Sequence, residues 1–358
     1  MKKHTIWIIL LAMVVFVAGC APAQTTTETG TSTEPTATNE QTEGQAEGQA
    51  DDQDKLVVVT TLFPQYDFVR QIGGDRVEPV LLLPPGVEAH SYEPTPQDIV
   101  TIQNADAFIY TGEGMEPWAL KMIENTGSDT VKVVDLFQVV EGADANHEDL
   151  TSDYGQETLV GEEVNEFQEG EEVHGDQDHS GPDPHIWKDP VKAMAMAYHI
   201  TEVLVELDLE NAAYYEENGK AYLEELDNLH HEAEEALEHL KSRTVYSGGH
   251  FAFGHFLARY NLAFESPYEG FAPDAEPTPK RIAQLIEAMK AKKVTTIFYE
   301  ELVDPKVTKI IAEETGAQML QLHGAHNVSK AELEAGVTYV EIMKQNIKNL
   351  KEGLGSEN

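Results

Sequence analysis

The chain has 358 residues with 64 acidic and 24 basic side chains, a formal charge of -40 at pH 7, and a field of that sign repels nucleic acid and anionic lipid as partners. One cysteine leaves no intrachain disulfide and no thiolate cluster for a metal, so the fold must rest on core burial. The length suffices for two domains of ordinary size.

Lys2 and Lys3 precede a short apolar run from Ile6 to Val17, followed by Val17-Ala18-Gly19-Cys20. A basic start, a run too short to span a bilayer and small residues at its end predict a signal peptide over 1–19. The lone cysteine directly after it resembles a lipobox and predicts lipidation of Cys20. From Ala21 to Asp54 there is no Val, Ile, Leu, Met or aromatic residue, so 20–54 reads as a lipid-anchored disordered tether. The expected location is extracytoplasmic, anchored to the cell membrane.

The body begins at Lys55. Short β-branched runs at Leu56–Thr60, 77–83, 107–111 and 131–136 read as strands, and Thr95-Pro96 opens a helix with a capping residue and Pro at its first position. Strand alternating with helix predicts a parallel sheet covered on both faces, here over an N-terminal α/β lobe, 55–208. Within it, 141–182 is rich in Asp and Glu, contains His147, His174 and His179 and lacks Lys and Arg. It reads as an insertion loop, either a solvated acidic loop or a weak metal collector.

Residues 209–242 predict one long linking helix, because Tyr222, Leu226, Leu229, Ala233, Leu237 and Leu240 recur at spacings of three or four. The rhythm of the first lobe then returns over 243–358, with strands at 244–247, 262–265, 295–300 and 318–322 and a helix opened by Thr278-Pro279. A continuous helix between lobes makes a stiff connection and argues against large hinge closure.

Of 14 histidines, four share a distinctive setting. His90, His250 and His326 each follow the carboxyl end of a strand, the edge where α/β sheets bind ligands, and His185 lies in Asp183-Pro184-His185-Ile186-Trp187-Lys188-Asp189-Pro190. Two come from each lobe, which lets all four meet in the cleft between lobes. Imidazole suits zinc, copper, nickel and iron better than magnesium, calcium or manganese, so the set points to zinc, held tetrahedrally. Neutral rings are required, so metal should leave as pH falls below about 6.5. Glu88, Glu93, Asp183 and Asp189 are sequence neighbours that could orient the rings. His323 could exchange roles with His326, and His255, on a helix after His250, should point away. His199, His230, His231 and His239 read as solvated helix residues.

These motifs resemble the metal-specific solute-binding lipoproteins of bacterial ABC importers, of the zinc-uptake type. The stretches that carry the resemblance are Gly86 to Pro94, Asp183 to Pro190, Gly249 to Phe253, Pro273 to Pro277, and Gly336 to Tyr339 with Met343 and Asn346. It implies two Rossmann-like lobes with parallel sheets joined by one rigid helix, and metal in the inter-lobe cleft on His90, His185 and His250. Manganese-type relatives usually place Glu at the third position, so His250 favours Zn2+ over Mn2+. The family's fourth ligand is an Asp or Glu after the last strand, where this chain places His326; Glu300 and Glu301 are rivals for that role. The implied protein is a monomeric, non-enzymatic binding component that delivers zinc to a membrane permease of the ABC importer. Competing readings are a manganese-binding member with an adhesin role and a secreted zinc hydrolase; the latter wants a motif such as His-Glu-x-x-His, which the sequence lacks.

Overall fold

The structure, a computed structural model, describes residues 55–126, 130–142, 182–250, 252–268, 277–302 and 304–356. Cys20, the tether, most of the acidic insertion with His147, His174 and His179, and Pro273 to Glu276 lie outside the described residues.

Four parallel strands, β1 (Leu56–Thr60), β2 (Val77–Leu81), β3 (Ala107–Tyr110) and β4 (Lys132–Asp135), form a sheet in the order β2-β1-β3-β4. Helices α1 (Phe63–Gly73), α2 (Pro96–Gln103), α3 (Ala119–Thr126) and α4 (Leu136–Gly142) alternate with them. The expected start of α2 is present in full: Thr95 Oγ1 accepts from the Asp98 amide while the Asp98 carboxylate accepts from the Thr95 amide, and Pro96 fills the position whose N–H would lack a partner.

Two long helices follow, α5 (Pro190–Leu207) and α6 (Ala212–Glu238). The second lobe pairs β5 (Thr244–Tyr246) with β6 (Ala263–Glu265) and β7 (Thr296–Tyr299) with β8 (Gln318–Gln321), all parallel. A bridge between Ser247 and Phe298 sets the pairs side by side. Its helices are α7 (Gly254–Arg259), α8 (Pro279–Lys292), α9 (Lys306–Thr315), α10 (Lys330–Ala335) and α11 (Tyr339–Leu354).

The predicted stripe on α6 is buried as Tyr222, Leu226, Leu229, Ala233 and Leu237, packed on α5, α11 and α1. At about 1.5–3 kcal/mol for each fully buried large apolar side chain, this seam holds the linking helix to both lobes. A single apolar cluster runs from Val58 of β1 through α5 and α6 to Leu350 of α11. The helix ends at Glu238, short of the predicted residue 242, because the chain's last residues compete for that stretch: Leu240 bridges Ser356, and the Lys241 amide donates to the Gly355 carbonyl at 2.9 Å.

One expectation about this helix fails. His230, read as solvated, is buried at 7 % exposure with Nδ1 3.0 Å from Tyr260 Oη, because the end of α7 packs over that face. His231 and His239 are exposed, and His199 is half-buried.

The lobes are also tied directly. Arg259, at the end of α7, makes two bonds of 2.7 and 2.6 Å to the Asp189 carboxylate that caps α5. Trp187 Nε1 donates to the Gly324 carbonyl at 3.0 Å, and the Phe63 amide donates to the His326 carbonyl at 3.0 Å.

Candidate metal centre

Each histidine loop is shaped by a local constraint. His90 lies in the turn after β2; its amide donates to Glu88 at 3.2 Å, and Trp118 Nε1 fixes the preceding Ala89 carbonyl at 3.0 Å. His185 precedes the single helical turn Ile186–Lys188 and is held twice by Asp183, through its amide at 3.0 Å and through Nδ1 at 2.7 Å. Donation from Nδ1–H leaves the Nε2 lone pair for a cation, the usual arrangement of a metal-bound imidazole.

His250 reaches its place over Gly248 and Gly249. A Cβ on Gly249 would stand 2.1 Å from Glu300 Oε1, and one on Gly248 would stand 2.8 Å from the Thr308 backbone. Only glycine permits this approach, and it leaves His250 Nδ1 3.0 Å from Glu300 Oε2. His326 follows Ala325, whose φ of 55° turns the chain sharply. The Ala325 amide donates to His323 Nδ1 at 2.9 Å, folding His323 back towards Glu332 while His326 lines the cleft.

The cleft has a volume of about 580 Å³ and is lined among others by Glu88, His250, Glu300, Glu301 and His326. The His185 ring lies 5.5 Å from that of His90 and 6.0 Å from that of His250, centroid to centroid. His326 Nδ1 is 3.6 Å from Glu301 Oε1, and its Nε2 is 3.9 Å from Glu88 Oε2. His250 and His326 line the cleft, and the His185 ring neighbours those of His90 and His250. Tetrahedral zinc with nitrogens at about 2.0–2.1 Å needs its donors roughly 3.4 Å apart, yet among the described residues no three donors at the cleft lie mutually within 4.8 Å. Holding one ion requires the rings to draw inward by an ångström or more.

Charge in the cleft is unevenly satisfied. Burial and the nearby positive charge of Lys188 drive the pKa of His326 well below its usual value. Burial also lowers His185, against the pull of Asp183. At His250 burial acts the same way, but the charge and hydrogen bond of Glu300 outweigh it and raise the pKa. Burial takes His323 down to about 4. Glu300 Oε1 and Glu301 Oε1 are buried without a hydrogen bond among the described residues, a costly state that a cation relieves. Lys188, fully buried 3.9 Å over the Phe253 ring, supplies part of that balance.

Of the four acids suggested as ring partners, Asp183 has that role and Glu88 stands near His326. Glu93 is exposed, and Asp189 is engaged with Arg259 and the start of α5. Sequence reasoning missed Glu300 as the partner of His250, since no spacing rule links residues fifty positions apart, and it read Lys188 only as part of its motif and not as the buried cation near Glu300 and Glu301. His255, expected only to point away from His250, has a role the sequence did not show: its Nε2–H donates to the Asp183 carbonyl at 2.8 Å, bracing the His185 segment.

A family profile described as ZnuA, zinc-uptake complex component A periplasmic, matches residues 58–353. The chain belongs to the ZnuA family. The high-affinity zinc uptake system protein ZnuA of Bacillus subtilis (strain 168) is 35% identical to it over 307 residues, 84% of this chain and 88% of that protein. The zinc-binding lipoprotein AdcA of Streptococcus pneumoniae (strain R6) is 31% identical over 304 residues, 85% of this chain but 56% of AdcA, so this ZnuA-family chain spans just over half the length of that relative. Among solved structures, the Zn(II)-bound ZnuA-like domain of Streptococcus pneumoniae AdcA aligns with a TM-score of 0.64 at 29% identity, over 84% of this chain and 99% of that one. The two-lobed α/β fold with parallel sheets is that of the ZnuA family.

Proposed function

We propose that this chain is the extracytoplasmic zinc-binding component of an ABC-type importer, which captures Zn2+ on His90, His185, His250 and His326 between its lobes and passes it to the membrane permease. The observation that carries this reading is the pairing of cleft imidazoles with carboxylates on their far nitrogens, Asp183 on His185 and Glu300 on His250. Such pairing turns the remaining lone pair towards a cation and strengthens it as a ligand. An all-imidazole set favours zinc over manganese. Four protein ligands leave no open position for activated water, which supports binding over hydrolysis.

The same reading gives Cys20 the lipid that anchors the protein. It gives His147, His174 and His179 a weak collecting role outside the tight site, so removing residues 142–180 should abolish low-affinity binding and leave one tight equivalent. Metal analysis of natively purified protein should find zinc, and competition should favour zinc over manganese. Deleting the gene should stop growth in zinc-chelated medium, with rescue by zinc; growth unaffected by chelation would count against uptake.

A further inference from the structure

We propose that one face of α6, carrying His230, His231 and Glu234, is a second site for a divalent transition cation, separate from the cleft. Among the described residues it is the one group of three such side chains whose donor atoms all lie within 4.8 Å of one another. Glu234 sits one helical turn beyond both histidines. Its carboxylate is 3.6 Å from His230 Nε2 and 3.0 Å from His231 Nδ1.

The nitrogens not facing Glu234 are themselves engaged. His230 Nδ1 is 3.0 Å from Tyr260 Oη, and His231 Nε2 is 3.6 Å from Asp227 Oδ1. With Nδ1–H donating to Tyr260, the Nε2 lone pair of His230 is presented on the Glu234 side; His231 Nδ1–H itself donates to Glu234 at 3.0 Å, so a cation would take the place of that proton while the ring carries its N–H on Nε2, the side of Asp227. A hydrogen-bonded partner on the far nitrogen of His230 and a carboxylate 3.6 Å from that of His231 are surroundings that suit metal-ligating imidazoles. The platform is rigid, because Leu226, Leu229, Ala233 and Leu237 of the same helix are buried on either side of the group in sequence.

Two imidazoles and one carboxylate select zinc, nickel or copper over magnesium or calcium. Three protein ligands leave a position for water. The His231 and Glu234 side chains are 58% and 54% exposed, so the ion exchanges freely and is held less tightly than one closed in by four ligands.

Equilibrium dialysis of zinc against the full chain tests the assignment. The double variant His231→Ala with Glu234→Gln should lose one equivalent of bound zinc, and the same loss should appear in a His185→Ala background, where the cleft is disabled. Tyr260→Phe should weaken that equivalent by roughly 10–100-fold, as loss of an outer partner does. Glu235→Gln, which removes a neighbouring exposed charge, should change nothing. Isotherms unchanged in the double variant would show an ordinary histidine–carboxylate contact and overturn the site. An equal loss from Glu235→Gln would show unspecific attraction and overturn it as well.

Discussion

His323 and His326 leave the same loop, but the turn at Ala325 spends one on holding the loop and aims the other at the cleft. On the proposed ligand set, His326→Ala should lower zinc affinity by roughly tenfold to several hundredfold, while Glu301→Gln, which would remove a neighbour of the ring, should cost much less, at most the roughly 10–100-fold of an outer partner. Competition against a fluorescent chelator measures both; abolition of binding by Glu301→Gln with His326→Ala silent would transfer the fourth position to the carboxylate. The pH dependence is also set residue by residue. Affinity is full while a ligand ring is neutral and is lost as pH falls through its pKa. His250 is raised by Glu300, whereas His185 and His326 are lowered by burial. The fall should begin above about 6.5 with one proton per zinc and steepen only at more acid pH. Release should then be staggered across these three rings, where four ordinary imidazoles would let go together just below about 6.5. A plot of log Kd against pH that starts with a slope of two or more would contradict this.

At the scale of elements, the strands were legible because buried parallel strands are nearly continuous β-branched runs, and α6 because its stripe repeats at helical spacing. β1 matches its run, and the other strands are shorter than theirs by a residue or two: Leu83 is apolar because it is buried beyond the end of β2, while Ser247 and Leu322 each still donate one bond to a neighbouring strand but lie just outside β5 and β8. The histidines were legible because strand ends are marked by those runs. Their partners Glu300 and Lys188, and the bracing by His255, arise from contacts between elements distant in sequence, which periodicity does not encode. The Asp189–Arg259 pair is of that second kind. Arg259→Ala leaves a carboxylate of 3% exposure with only its helix-capping bond, and should destabilise the fold by about 2–3 kcal/mol, the low side for a buried pair because the guanidinium side is partly in water. Urea denaturation would check it; a loss under about 0.5 kcal/mol would make the pair an ordinary surface contact.

For the whole molecule, a seam shared by both lobes and direct bonds between them oppose hinge motion. Zinc should leave the radius of gyration in solution scattering unchanged within error, with the inward movement confined to the ring-bearing loops. A measurable compaction on adding zinc would show a hinge that α6 does not suppress. The bond from the Phe63 amide to the His326 carbonyl has a mechanical corollary. The loop that carries one proposed ligand is stitched to the opposite lobe by its own backbone. Any force that pries the lobes apart at their rim must strain that stitch and the coordination shell in the same stroke. On the proposed ligand set, a docking partner that leans on both lobes would hold a crowbar: a short displacement at the rim would load the His326 loop through its own backbone, with no swing of one lobe against the other.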